Sequence, residues 1–399
     1  MPHWTILTCE YPPDCGGVGD YTAQVAAALV AAGDDVTVVC PPRSSYAVRA
    51  ARQTGVDAAG VDVVVLDDAY GRLGRRALDE RLDRRPSSAP TTILVQYVPT
   101  GFGLRGANLP WCRWLLERAR RHGDDVRVVF HEPYFEFTWR PSRQNALAVV
   151  ERVMAKMLLR AASRVYLSTD AWRRYLLPYM PGGRAKDLIT LPIPSAIPRC
   201  DRVSDFAERR GQLLGTSTHQ LVGHFGTFGS GITPMLEAVL TQVLSEDPNV
   251  SAVCLGSGSD EFVRLLVGAV PKIRGRVLGT GRISRSDAAL TLSACDLMLQ
   301  PYPDGVTTRR TSVMASLVNA RAVVTTTGHL TEPVWADTGA VALIRALDND
   351  AFVACARALL ANDDNRGALA ARGAQVYRER FALDHTIRTL RGAVEGAAA

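Results

Sequence analysis

The sequence predicts an α/β protein made of two doubly wound, Rossmann-like domains in tandem. Three observations carry this. The chain has 399 residues, too many for one ordinary core and close to two domains of roughly 200 residues each. Short apolar runs alternate with helical patterns almost throughout, as in parallel sheets covered on both faces. The alternation pauses once, at LPIPSAIPRC (Leu191–Cys200), where three prolines favour extended backbone, and then resumes. The expected division is a Rossmann-like domain over 1–195, a second Rossmann-like domain over 196–375, and a helical tail over 376–399 that packs back on the first domain.

In the first half, strands are expected at His3–Cys9, Asp35–Cys40, Val61–Leu66, Thr91–Gln96, Val126–His131 and Arg164–Ser168. Helices are expected at Gly19–Ala32, Arg72–Arg85, Leu109–Arg121 and Pro141–Ala162. In the second half the strands are Gln220–Phe225, Val250–Leu255, Arg276–Leu278, Asp296–Gln300, Ala322–Thr326 and Gly339–Ile344, before a helical stretch over Asp348–Val394. Doubly wound domains bind ligands beyond the carboxyl ends of their strands, at the point where strand order reverses. Two such domains facing one another would place a ligand in the cleft between them.

Composition narrows the partners. The chain is 47% hydrophobic and 22% charged, ordinary for a soluble enzyme. It has no run of about 18 apolar residues, and MPHWTILTCEYPPD lacks the basic region and cleavage site of a signal peptide. The eight cysteines are scattered without a CxxC pair, which points to a reducing cytoplasm and no metal site. A peripheral position on the inner face of the membrane is an added expectation. It rests on the amphipathic WCRWLLERARRHG (Trp111–Gly123), although such a helix more often covers a sheet. The net charge is +6, but no basic tail, zinc finger or RRM pattern supports nucleic acid as a partner. Three lysines stand against 43 arginines, so any anion-binding side chain is expected to be arginine.

The motifs fall just after strands. EYPPDCGGVGDYT follows the first, with Gly16, Gly17 and Gly19 where the chain enters a helix. Such a start offers N–H groups to an anion or a sugar oxygen, or is simply a tight turn. Asp20 lies in the same helix start. VQYVPTGFG places Gln96 and Tyr97 on the rim of the fourth strand, and VVFHEPYFEFTWR places His131 and Glu132 on that of the fifth. A histidine there can hydrogen-bond a substrate hydroxyl or move a proton, or be a packed histidine satisfied by backbone. In the second half, VGHFGTFGSGITP holds Gly226, Thr227 and Ser230 in a small, N–H-rich turn suited to a phosphate, and LGSGSDEF repeats the theme with Gly256. PYPDGVTTRRTSV carries Asp304, Gly305, Val306, Thr307, Thr308, Arg309, Arg310, Thr311 and Ser312. Its carboxylate can accept from sugar hydroxyls. The amides of Thr307–Thr311 are expected to be unpaired if a helix starts there. Two adjacent arginines at a helix start oppose the macrodipole unless an anion joins them.

These stretches resemble family 4 glycosyltransferases of the GT-B fold over nearly the whole chain. GGVGDYTAQVAAALVAAGDDVTVV, FGTFGSGITPMLEAV, AVCLGSGSDEF, GRISRSDAALTLSACDLMLQPYPDG and NARAVVTT occur in the family's order. The resemblance implies transfer of a hexosyl-type sugar from a nucleotide-diphosphate-sugar, with retention of configuration and no required cofactor or metal. It also implies that 196–375 is the nucleotide-sugar donor domain and 1–195 mainly the acceptor domain, the acceptor being a sugar, a lipid-linked or a small molecule. It implies that Gly17 and Gly19 lie near the diphosphate and acceptor, His131 near the donor sugar, and Arg282 and Ile283 at the base. Asp20, Tyr97 and Glu132 are the acceptor candidates.

The chain departs from the family at three contacts. His224 and Ser230 stand where the family has an Arg and a Lys. Asp304 matches the first of two family glutamates, while the second falls on Ser312 or Ala315. With the usual basic pair gone, Arg309 and Arg310 are expected to stabilise the departing diphosphate. A pseudo-glycosyltransferase, a nucleotide-sugar epimerase or a phosphorylase shares the fold, and a catalytically degenerate nucleotide-sugar-binding protein is the non-enzymatic alternative.

Overall fold

A computed structural model describes residues 2–13, 16–42, 55–84, 91–139, 143–182, 188–202, 204–215 and 219–392. The chain divides into two compact units, Met1–Pro192 with Leu383–Ala399, and Ile193–Ala382.

The strands of the first unit are β1 (His3–Thr8), β2 (Asp35–Cys40), β3 (Gly55–Val56), β4 (Asp62–Val65), β5 (Thr91–Tyr97), β6 (Asp125–Phe130), β7 (Arg164–Leu167) and β8 (Leu188–Thr190). They lie in the order β3-β4-β2-β1-β5-β6-β7-β8, parallel except for the β3–β4 edge. All six residues of β1 are buried, as expected for a strand covered on both faces. The register sets Thr8 beside Gln96 and Tyr97 beside Phe130, which brings the ends of β1, β5 and β6 to one rim. Strand order reverses between β1 and β5.

Helices Gly17–Ala31, Arg72–Asp83, Leu109–Glu117 and Arg143–Ala161 connect the strands. The third is shorter than the sequence suggested. It passes into a wider turn, Arg118–His122, in which Arg118 is turned inward, 3% exposed, and donates to Asp83 and Asp124 at 2.6 Å each. The apolar face of this helix is not available to a lipid surface. Trp111 is fully buried and stacks on Phe102 at 4.0 Å, and Trp114 Nε1 donates to Asp79 at 2.7 Å. Among the described residues no helix is long and apolar enough to cross a membrane. The helix Leu383–Arg391 joins this unit through an Arg391–Asp34 pair at 3.1 Å and an Arg127 bond to the Leu390 carbonyl.

The second unit contains β9 (Gln220–Phe225), β10 (Val250–Leu255), β11 (Val277–Gly279), β12 (Leu297–Gln300), β13 (Ala322–Thr327) and β14 (Ala342–Arg345). Their order, β11-β10-β9-β12-β13-β14, is fully parallel and has its switch point between β9 and β12. Alternation along β9 sends Leu221 into one buried layer, with Met298 and Trp335, and Val222 into the other, with Leu236 and Phe352. The proline-rich segment enters this unit where Ile193 N donates to the Thr308 carbonyl at 3.1 Å. Asp296 stands just before β12, where its carboxylate accepts from Leu221 N at 2.7 Å and Arg210 at 2.8 Å. The short β3 and β8 had no recognisable period in the sequence, being two and three residues long.

Candidate active site

The rim of the first unit is built around Glu10, which no local sequence signal marks. Its Oε1 accepts from Val18 N and Gly19 N, both at 2.9 Å. The helix start at Gly16–Gly19 therefore does not offer those amides to an anion. The macrodipole favours a negative charge there, and the chain supplies its own. A Cβ at Gly16 would lie 2.0 Å from Glu10 Oε2, so the glycine makes room for this carboxylate. Gly17 remains exposed, and Asp20 is half-buried one turn on, its amide bonded to the Gly16 carbonyl at 3.0 Å.

His131 stands at the end of β6 with Nε2 2.8 Å from Gln96 Oε1. An amide oxygen only accepts, so Nε2 carries the proton. The backbone is clamped as well. His131 N donates to the Tyr97 carbonyl at 3.0 Å, and the His131 carbonyl accepts from Ser168 Oγ at 3.2 Å and Trp172 Nε1 at 2.9 Å. The ring meets Tyr21 edge-on at 5.3 Å. Orientation and tautomer are both fixed, as a proton-handling or hydroxyl-binding histidine requires. Glu132 follows, half-buried.

Tyr97 is not placed to touch an acceptor. It is fully buried, T-shaped against Phe130 at 5.1 Å and stacked with Phe102 at 6.2 Å, and burial raises its phenol pKa. Adjacent strand residues point to opposite faces, and Tyr97 fell on the face away from Gln96. A second carboxyl unsuspected from sequence is Glu151. It is fully buried, Oε2 accepts from Phe135 N at 2.7 Å, and burial, with the nearby Glu132 charge adding, raises its pKa. It anchors the loop that leaves His131.

In the second unit the Gly226 turn follows β9, with Thr227 and Ser230 exposed. Gly256, φ +115°, has a packing reason: a Cβ there would lie 2.2 Å from the Gly226 carbonyl oxygen. The two glycine turns thus rest directly on each other. His224, which stands where the resembled family has an arginine, is neutral. Its Nδ1 lies 2.8 Å from the Leu299 carbonyl, and burial lowers its pKa to about 4. Arg282 is exposed beyond β11, and Ile283 packs partly on the core.

The turn after β12 is held by side chains. Arg310 Nη2 donates to Asp304 Oδ1 at 2.6 Å and Oδ2 at 2.7 Å, and its guanidinium lies over the Tyr302 ring at 4.4 Å. The Tyr302 hydroxyl reaches Ser312 Oγ at 2.7 Å. Arg309 is half-buried beside this pair, and the helix begins at Thr311. The amides here are not all available, contrary to expectation. Thr308 donates through N at 2.5 Å and Oγ1 at 2.6 Å to Glu332, and Arg310 N donates to the Thr307 carbonyl at 3.0 Å. Val306, Thr307 and Thr308 are buried, at most 2% exposed. Gly305 is needed for a close approach, since a Cβ there would lie 2.3 Å from Gly328 N.

The structure therefore gathers Gly226, Asp304, Gly305, Arg309, Arg310, Thr311 and Ser312 around the β9/β12 switch point of the second unit. It gathers Gln96 and His131 at the rim of the first, where Gly17 and Glu10 follow β1. Glu332 did carry one sequence signal: it directly precedes Pro333, a pattern that marks a helix start. Among the described residues no group of three or more His, Cys, Asp or Glu could hold a metal ion.

Residues 16–192 match the family model described as a glycosyl transferase 4-like domain. No curated protein matches the sequence significantly. Among solved structures the chain is similar to sucrose-phosphate synthase from Thermosynechococcus elongatus, with a TM-score of 0.71 and 15% identity over 99% of this chain and 100% of that one. It is similar to HepE of Anabaena in complex with UDP and glucose, with a TM-score of 0.71 and 14% identity over 98% and 99%. It is also similar to WaaG, a glycosyltransferase involved in lipopolysaccharide biosynthesis, with a TM-score of 0.67 and 14% identity over 98% and 100%. The first unit thus carries a glycosyl transferase 4-like domain, and the chain over its whole length has the GT-B fold.

Proposed function

We propose that the protein transfers a hexosyl group from a nucleotide-diphosphate-sugar to an acceptor hydroxyl, with retention of configuration and without a metal. The observation that carries this is the Asp304–Arg310 turn at the switch point of the second unit, on a fold shared with HepE, a protein solved with UDP and glucose. Negative charge grows on the diphosphate as the glycosidic bond breaks, and a positioned cation lowers that barrier. Arg309 takes this role. Arg310 instead holds Asp304 in place for sugar hydroxyls, since both carboxylate oxygens already accept from it. Gly226, Thr227 and Ser230 flank the donor, and Arg282 and Ile283 attend the base. His131, with its tautomer set by Gln96, hydrogen-bonds a sugar hydroxyl. Asp20 and Glu132 serve the acceptor.

A nucleotide-release assay over UDP-, ADP- and GDP-sugars, with and without sugar acceptors, tests the reading. Arg309→Ala is expected to slow turnover about a hundredfold with folding intact. Wild-type turnover in both Arg309→Ala and Arg310→Ala sinks the role given to this segment. The seating of Glu332 on Thr308 and the neutral His224 favour one second reading, a binding protein without turnover. Calorimetric binding of a nucleoside diphosphate with no release from any donor would select it.

A further inference from the structure

His224 lies near the carboxyl end of β9, beside β12, at the switch point of the second unit. Its side chain is buried, 1% exposed. A carbonyl oxygen only accepts, so the 2.8 Å contact with Leu299 O places the proton on Nδ1. Nε2 is then a lone-pair acceptor, and it is buried with no hydrogen-bond partner among the described residues. A buried acceptor without a donor is costly and calls for a specific explanation. Its direction supplies one. A Cβ built on Gly226 would lie 3.5 Å from Nε2, so the missing side chain leaves the line from the glycine turn to the imidazole clear. The ring is wedged edge-on against Phe228 at 5.3 Å. The titratable neighbour in register on β10 is Cys254, a thiol that burial keeps neutral.

We propose that His224 is a specificity-determining residue whose Nε2 accepts a hydrogen bond from a hydroxyl of the transferred sugar, and that no phosphate oxygen of the donor lies against it. This rests on the nucleotide-sugar reading above. A diphosphate at neutral pH presents only acceptor oxygens, and a lone pair facing them repels. Burial holds the imidazole at a pKa of about 4, so it is not a cation in that range. The residues assigned to the base follow β11, two strands from β9 and so about 10 Å away at the usual strand spacing, which leaves hydroxyls as the donors near His224; ribose hydroxyls are common to both ligands of each pair titrated below, whereas those of the transferred sugar belong to the nucleotide-sugar alone.

The test is calorimetric titration of the full chain with three pairs: UDP and UDP-glucose, ADP and ADP-glucose, GDP and GDP-mannose. Wild type, His224→Phe and His224→Gln are compared, each checked by thermal melting, in two buffers of different ionisation enthalpy. For the pair that wild type binds, His224→Phe is expected to weaken the nucleotide-sugar about tenfold and the nucleoside diphosphate less than about twofold. His224→Gln, which keeps an acceptor, recovers most of the loss, and no proton is taken up on binding. Equal losses for both ligands, unchanged binding of both, or uptake of a proton with the nucleoside diphosphate would each overturn the proposal. If His224→Phe does not fold, the Gln variant and the proton balance decide it. A wild type that binds none of the pairs overturns the nucleotide-sugar reading itself, an outcome distinct from any effect of His224, and the proposal falls with it.

Discussion

His224 and Glu151 are both buried ionisable groups, and burial moves them in opposite directions on the pH axis. His224 falls from 6.5 to about 4, so the folded state binds fewer protons than the unfolded chain. Its contribution is present above pH 6.5 and is lost as pH falls towards 4, by roughly 3 kcal/mol for a shift of this size. Chemical denaturation of His224→Gln between pH 7 and 4 is expected to show a flatter decline than wild type; an equal slope in both would contradict the burial argument. Glu151 is raised, chiefly by burial, so the fold prefers it protonated and loses stability as pH rises through that raised value. Glu151→Gln keeps an acceptor for Phe135 N. It is expected to melt above wild type at pH 8, with the gap closing towards pH 4 as both states protonate. Residues of this kind were the least legible in the sequence. Nothing local distinguishes Glu151 from an exposed helix glutamate, and Tyr97 looked like a rim residue because one step along a strand changes the face.

At the scale of elements, the strand-turn-helix units were legible because apolar period and glycine placement are local signals. Who satisfies each helix start was not. Glu10 lies eight residues before Val18 and Glu332 lies 24 after Thr308, contacts that exist only once the sheet has formed. Glu10→Ala removes a carboxylate from two amides at a helix N-terminus and is expected to cost about 1–2 kcal/mol in urea unfolding. Glu10→Gln should recover part of that loss. An Ala variant as stable as wild type would mean that water replaces the carboxylate without loss. Gly256→Ala is expected to be worse, beyond about 2 kcal/mol, because it combines φ +115° with a Cβ 2.2 Å from a backbone oxygen. The same reasoning explains the arginine pair at the helix start. Arg310 answers to Asp304, six residues earlier, rather than to the helix dipole.

At the scale of the whole molecule, two parallel sheets follow from two series of apolar strands interrupted by a proline-rich segment. The second sheet has the order in which a switch point falls beside the Gly226 and Asp304 turns. The ligand is less legible. Its recognition depends on side chains from several loops, and three of the expected cationic or acidic contacts are replaced in this chain by His224, Ser230 and Ser312 or Ala315. The central claim, a glycosyltransferase that relies on arginine rather than a metal, is tested most directly by nucleotide release from a panel of UDP-, ADP- and GDP-sugars in the presence of EDTA. The account predicts release from at least one donor that EDTA does not abolish and that Arg309→Ala lowers about a hundredfold. No release from any donor, or release that requires added metal and is indifferent to Arg309, would contradict it.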